Sequence, residues 1–87
     1  MQPDLSIIIV SWNVRDLLKQ AITSIHNAYE ESHATPEIIV VDNASRDGTV
    51  AMLREDYPAV RVIANAKNRG FTGGNNQGIA AARGDYL

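Results

Sequence analysis

The sequence predicts a mostly parallel α/β sheet, and three observations carry that reading. Short, β-branched apolar runs alternate with helical patterns in the order strand, helix, strand, helix, strand, helix. The runs are apolar on both parities, as strands covered on both faces are. The connections are too long for hairpins, so right-handed crossovers are the economical link between successive strands.

Residues 5–10 (LSIIIV) supply the first strand. Apolar residues then recur at Val14, Leu17, Leu18, Ala21, Ile22, Ile25, Ala28 and Tyr29, the spacing of an amphipathic helix, with Arg15, Asp16 and Lys19 on its other side. That helix fades in residues 30–35, ahead of Pro36. Residues 37–41 (EIIVV) read as a second buried strand and residues 49–57 as a short helix, N-capped by Asp47 or Ser45 and stopped by Pro58. Residues 60–64 (VRVIA) make a third strand, less continuously apolar and nearer an edge. A glycine-rich loop over 65–74 leads to an alanine-rich helix over 75–83 with Gly84 at its C′ position, and Tyr86-Leu87 reads as the opening of a fourth strand.

Composition narrows the function. A length of 87 residues fits one small domain, and 45% apolar against 21% charged residues is a globular balance. Eight Lys and Arg against ten Asp and Glu give a net charge of −2, and the cations are scattered, which argues against nucleic acid as a partner. With no cysteine there is neither a disulfide nor a thiolate metal site. The longest apolar run, residues 7–10, is far short of a membrane span, and the N-terminus is no signal-peptide start, so a soluble, cytoplasmic chain is expected.

Parallel sheets bind ligands beyond the carboxyl ends of their strands, which directs attention to residues 11–13, 42–48 and 65–74. Asp42, directly after the second apolar run, is placed either to accept hydrogen bonds from a base or ribose or to cap and shape the following turn. A calcium loop over the same residues fails because its twelfth position is Arg54. The three glycines of the third loop precede a helix N-terminus, a setting for an anion such as a diphosphate, or serve only turn geometry. Arg69 pairs with a phosphate in the first case and is solvated in the second. Trp12 either stacks on a base or covers the sheet end. His26 and His33 lack partners at ligand spacing, so no metal site is expected from them.

Taken together, residues 6–13 (SIIIVSWN), 37–49 (EIIVVDNASRDGT), 68–71 (NRGF), 74–79 (GNNQGI) and 82–87 (ARGDYL) resemble the start of a family 2 glycosyltransferase. The resemblance covers nearly the whole chain. It implies a partial, Rossmann-like GT-A domain, three parallel strands plus the start of a fourth flanked by helices, that binds a nucleotide-sugar. The implied reaction is inverting transfer of the sugar from a UDP- or dTDP-linked donor to the hydroxyl of a saccharide or lipid-linked acceptor. By position, Ser11, Trp12 and Asn13 would line the nucleoside pocket, and Asp42, with Asn43 beside it, would accept the imide N–H of the base. Asn68, Arg69 and Gly70, with Asn75 on the next helix, would close over the base and approach the phosphates. The long glycine- and asparagine-rich segment is similar to that of rhamnosyltransferase-like members. The family's D-x-D-like motif for a divalent Mg or Mn ion, and its catalytic Asp or Glu, would lie beyond Leu87, so the chain is expected to be a truncated donor-binding portion, inert by itself. An unfinished sheet would leave an edge open to self-association, and a membrane-peripheral place on the inner face fits the class. The alternative is a stand-alone nucleotide-binding or interaction module.

Overall fold

The computed structural model describes residues 5–30 and 36–82. Three parallel strands, β1 (Ser6–Ser11), β2 (Glu37–Asn43) and β3 (Arg61–Asn65), form one sheet in the order β1-β2-β3. Helices α1 (Arg15–Tyr29), α2 (Thr49–Asp56) and α3 (Gly70–Ala81) follow them in alternation. The α/β class and its parallel pairing are as the sequence predicts, and β3 lies at an edge of the described sheet. The expected fourth strand at Tyr86-Leu87 and the C′ role of Gly84 fall outside the described residues.

The pleat divides the sheet's side chains between two covers. On one face Ile38 and Val40 pack with Leu18 and Ile22 of α1, Met52 and Leu53 of α2 and Val60, with Ile9 and Val62 at the margin. Each of these large side chains, when fully buried, stabilises the fold by about 1.5–3 kcal/mol. The opposite face receives α3, which lies over Ile8 and Val10 of β1. Because β2 is central and covered on both sides, every residue from Ile38 to Asn43 is buried.

Several boundaries differ from the sequence reading, β1 beginning and ending one residue later than predicted. β2 runs on through Asp42 and Asn43, because Asp42 pairs in register with Ser11 and Ala64, and Asn43 with Asn65. Strand β3 begins one residue later than predicted and likewise ends one later, at Asn65. Helix α2 has Gly48, in the left-handed region at φ 83°, as its N-cap in place of Asp47 or Ser45. Asp47 nonetheless supplies the missing acceptor from one residue upstream, its Oδ1 taking the Thr49 N–H at 3.2 Å. Lastly, α3 starts at Gly70, five residues before the predicted start, so half of the presumed glycine loop is helix.

That helix survives glycines that each cost about 1 kcal/mol of helix propensity because they let it approach the sheet. A Cβ at Gly78 would stand 2.3 Å from Ile8 Cγ2, and one at Gly74 would stand 2.8 Å from Val10 Cγ1. At the other end Arg61 anchors α3, its Nη1 donating to the Ala81 carbonyl at 2.6 Å and to Glu37 Oε2 at 2.9 Å, a cation placed at a helix C-terminus.

Candidate functional site

At the carboxyl ends of the three strands lies a cleft of about 700 Å³ lined by Trp12, Asn13, Ala44, Ser45, Arg46, Asn65, Ala66, Lys67 and Asn68. Its base is polar and closed by hydrogen bonds. Asp42, only 1% exposed, accepts from the Ser11 hydroxyl at 2.9 Å and the Ser45 hydroxyl at 2.5 Å through Oδ1, and from the Ser45 N–H at 2.9 Å through Oδ2. Three of the carboxylate's roughly four acceptor sites are thus occupied within the chain.

The first two loops are tied together at the rim. Ser45 Oγ accepts the Asn13 N–H at 2.8 Å, and Asn13 Oδ1 accepts the Arg46 N–H at 2.8 Å. Asn13 (φ 53°) and Ala44 (φ 63°) both occupy the left-handed region, and both line the cleft. Asn tolerates that conformation, whereas Ala carries strain there of the kind concentrated at functional sites. A second tie joins Asp47 to the start of α1: Asp47 Oδ2 accepts the Arg15 N–H at 3.0 Å, and Arg15 Nη1 donates to the Asp47 carbonyl at 3.0 Å. The Thr49 hydroxyl above all, and then the Arg15 N–H, hold the Asp47 carboxyl below the ordinary aspartate range.

The third wall is built from amides. Asn43, 2% exposed, donates from Nδ2 to the Gly70 carbonyl at 3.0 Å, while its Oδ1 accepts from Asn65 Nδ2 at 3.0 Å and the Arg69 N–H at 3.2 Å. Asn68 Oδ1 accepts the Gly70 N–H at 2.7 Å, a local turn that delivers the chain into α3.

Of the residues the sequence points to, Trp12, Asn13 and Asn68 line the cleft. Ser11, Asp42 and Asn43 are buried at the strand ends and are engaged with other parts of the chain. Arg69 and Gly70 are exposed at the start of α3, and Asn75 is half-buried one turn further on; none of the three is in the lining. Sequence reasoning missed Arg46 and Lys67, two cations in a lining that holds no carboxylate, because single cations in loops form no pattern. Trp12 lines the cleft and is 56% exposed. Among the described residues no group of three or more His, Cys, Asp or Glu side chains gathers to hold a metal ion, and no helix is long and apolar enough to cross a membrane.

The family model for "Glycosyl transferase family 2" matches residues 6–87. The chain belongs to glycosyl transferase family 2. Among relatives of this family 2 chain, the succinoglycan biosynthesis protein ExoO of Rhizobium meliloti is 38% identical over 98% of the chain and 24% of its own length. The GalNAc(5)-diNAcBac-PP-undecaprenol β-1,3-glucosyltransferase of Campylobacter jejuni is 34% identical over 98% of the chain and 28% of its own length. Among solved structures, the mannosyltransferase PcManGT from Pyrobaculum calidifontis, in complex with GDP-Man and Mn2+, superposes with a TM-score of 0.74 at 26% identity, covering 94% of this chain and 25% of that one. The chain thus spans about a quarter of the length of these family 2 proteins.

Proposed function

We propose that the cleft is the nucleoside-diphosphate subsite of a nucleotide-sugar donor, and that this chain is the donor-recognition portion of an inverting glycosyltransferase. One observation carries the reading: an exposed indole, two cations and no carboxylate line a single cleft at the carboxyl ends of the parallel strands. The indole face suits a base, and Arg46 and Lys67 suit the negative charge of the diphosphate. Asp42 keeps one lone pair on Oδ2 for a ring N–H, but it is 1% exposed and outside the cleft lining, so the reading rests on Trp12, Arg46 and Lys67.

A carboxylate accepts from the imide N–H of uracil and thymine and equally from the N1–H of guanine, so UDP and dTDP stand beside the GDP carried by the structural relative. The segment that suggested a rhamnosyltransferase-like donor is the first part of α3 packed on β1, so it gives no ground for choosing the sugar. The acceptor is a hydroxyl of a saccharide or lipid-linked saccharide, the class that the Campylobacter relative's name describes. The spacing D-x-D does not occur in the 87 residues. A divalent cation held elsewhere in the whole protein would neutralise the leaving diphosphate, and the chain by itself binds donor without turning it over.

Calorimetric titration with UDP, dTDP and GDP, wild type against Arg46→Ala and Lys67→Ala, tests the assignment. Each single variant is expected to lose about tenfold in affinity for the diphosphate and little for the uncharged nucleoside. Equal losses for both ligands, or no binding by the wild type, would sink it.

A further inference from the structure

Asn65 and Gln77 form a reciprocal amide pair. Asn65 Nδ2 donates to Gln77 Oε1 and Gln77 Nε2 donates to Asn65 Oδ1, each at 2.8 Å. The sense of the network is set from its backbone end: the Gly70 carbonyl takes the Asn43 Nδ2 and the Arg69 N–H donates to the Asn43 Oδ1, so Asn65 must turn its Nδ2 to that oxygen, since a reversed Asn65 would set two carbonyl oxygens against each other. Gln77 then braces Asn65 in that orientation with two further hydrogen bonds. One relay of three amides therefore clamps both ends of the segment between β3 and α3. The residues held between those ends, Ala66, Lys67 and Asn68, line the cleft.

We infer that Gln77, on α3 and outside the cleft lining, is a positioning residue for ligand binding. It braces Asn65 against Asn43 and so holds Lys67 and Asn68 in the wall of the cleft that Trp12 and Ser45 also line. The inference rests on the cleft being the nucleotide subsite. It adds that affinity depends on a residue outside the cleft lining, and that the dependence runs through amide hydrogen bonds, not charge.

The test uses Gln77→Met, which keeps side-chain length without the amide, and Gln77→Glu, which restores a donor and acceptor only when protonated. Trp12 is the sole tryptophan, so its emission reports ligand in the cleft when UDP, dTDP and GDP are titrated. Titrations are run where circular dichroism shows every variant folded. Amide hydrogen exchange at Arg69 is followed alongside, without ligand. Gln77→Met is expected to exchange faster at Arg69 and to bind about fivefold to tenfold more weakly. Gln77→Glu is expected to regain affinity as the pH is lowered toward the range in which a glutamate protonates, while the wild type shows no such gain. Unchanged exchange at Arg69 overturns the relay, and faster exchange with unchanged affinity overturns its role in binding. A wild type that binds none of the three nucleotides overturns the subsite reading and this inference with it, a result distinct from either of those.

Discussion

Ser45 grips Asp42 twice, its N–H donating to Oδ2 at 2.9 Å and its hydroxyl to Oδ1 at 2.5 Å, while the same hydroxyl accepts the Asn13 N–H at 2.8 Å. A buried carboxylate is thereby satisfied by the loop that follows it, and the first loop is fastened to the second through one oxygen. Ser45→Ala removes a donor from the carboxylate and an acceptor from Asn13. The expected cost is about 1–3 kcal/mol by urea denaturation, with Ser45→Thr losing less because it keeps the hydroxyl. Equal stability of the wild type and Ser45→Ala would show that the bridge contributes nothing net.

Trp12 gives the simplest test on the ligand side. If its exposed indole stacks on a base, Trp12→Ala should weaken nucleotide binding about tenfold or more, and Trp12→Phe should weaken it less. Calorimetry with UDP, dTDP and GDP measures this, and because the side chain is outside the core, thermal stability should barely move.

Packing at Gly78 leads to a different expectation. Gly78→Ala drives a methyl group into Ile8 Cγ2 and should destabilise by about 1–3 kcal/mol despite alanine's better helix propensity. Adding Ile8→Ala removes the clashing branch, so the double variant should lose less than the sum of the two single losses in denaturant titrations.

Asp47 sets the acid limb of stability. Its folded-state pKa lies below the ordinary aspartate range, chiefly through the Thr49 hydroxyl and then the Arg15 N–H. For a depressed carboxylate the stabilisation is fully present above the unfolded pKa and is lost as the pH falls through the lower, folded value. Stability measured from pH 5 downward should therefore decline below about 4 in the wild type. In Asp47→Asn that part of the decline should be absent and stability at neutral pH lower; parallel curves would refute the assignment.

Much of the fold was legible in the sequence, since apolar runs on both parities and the recurrence from Leu18 to Ile22 dictate burial directly. The start of α3 was not. Gly70, Gly73 and Gly74 carry a strong local signal for a loop, and the reason a helix keeps glycine here, the close approach of Gly74 to Val10 and of Gly78 to Ile8, lies in contacts far away in sequence. The site was half legible for the same reason. Topology selected the three loops, and Trp12, Asn13 and Asn68 do line the cleft. The bonds from Ser45 to Asp42 are the local turn that the sequence offers as one reading of Asp42, whereas the Ser11 hydroxyl on Asp42, the engagement of Asn43 and the contribution of Arg46 and Lys67 depend on other segments and had no local signature.

Neighbouring residues Asp42 and Asn43 serve opposite sides of the sheet, the carboxylate reaching Ser11 and Ser45 and the amide reaching Asn65, Arg69 and Gly70. A one-residue slip of β2 in its register would exchange the two, leaving an acid where α3 needs a donor and an amide beneath the first loop, at the same moment as it turned Ile38 and Val40 away from their neighbours, and an insertion or deletion within the strand would force one half or the other into that exchange. This strand is therefore closed to changes of length: β2 carries the cleft and the core on a single count of residues, so neither is free to drift without the other.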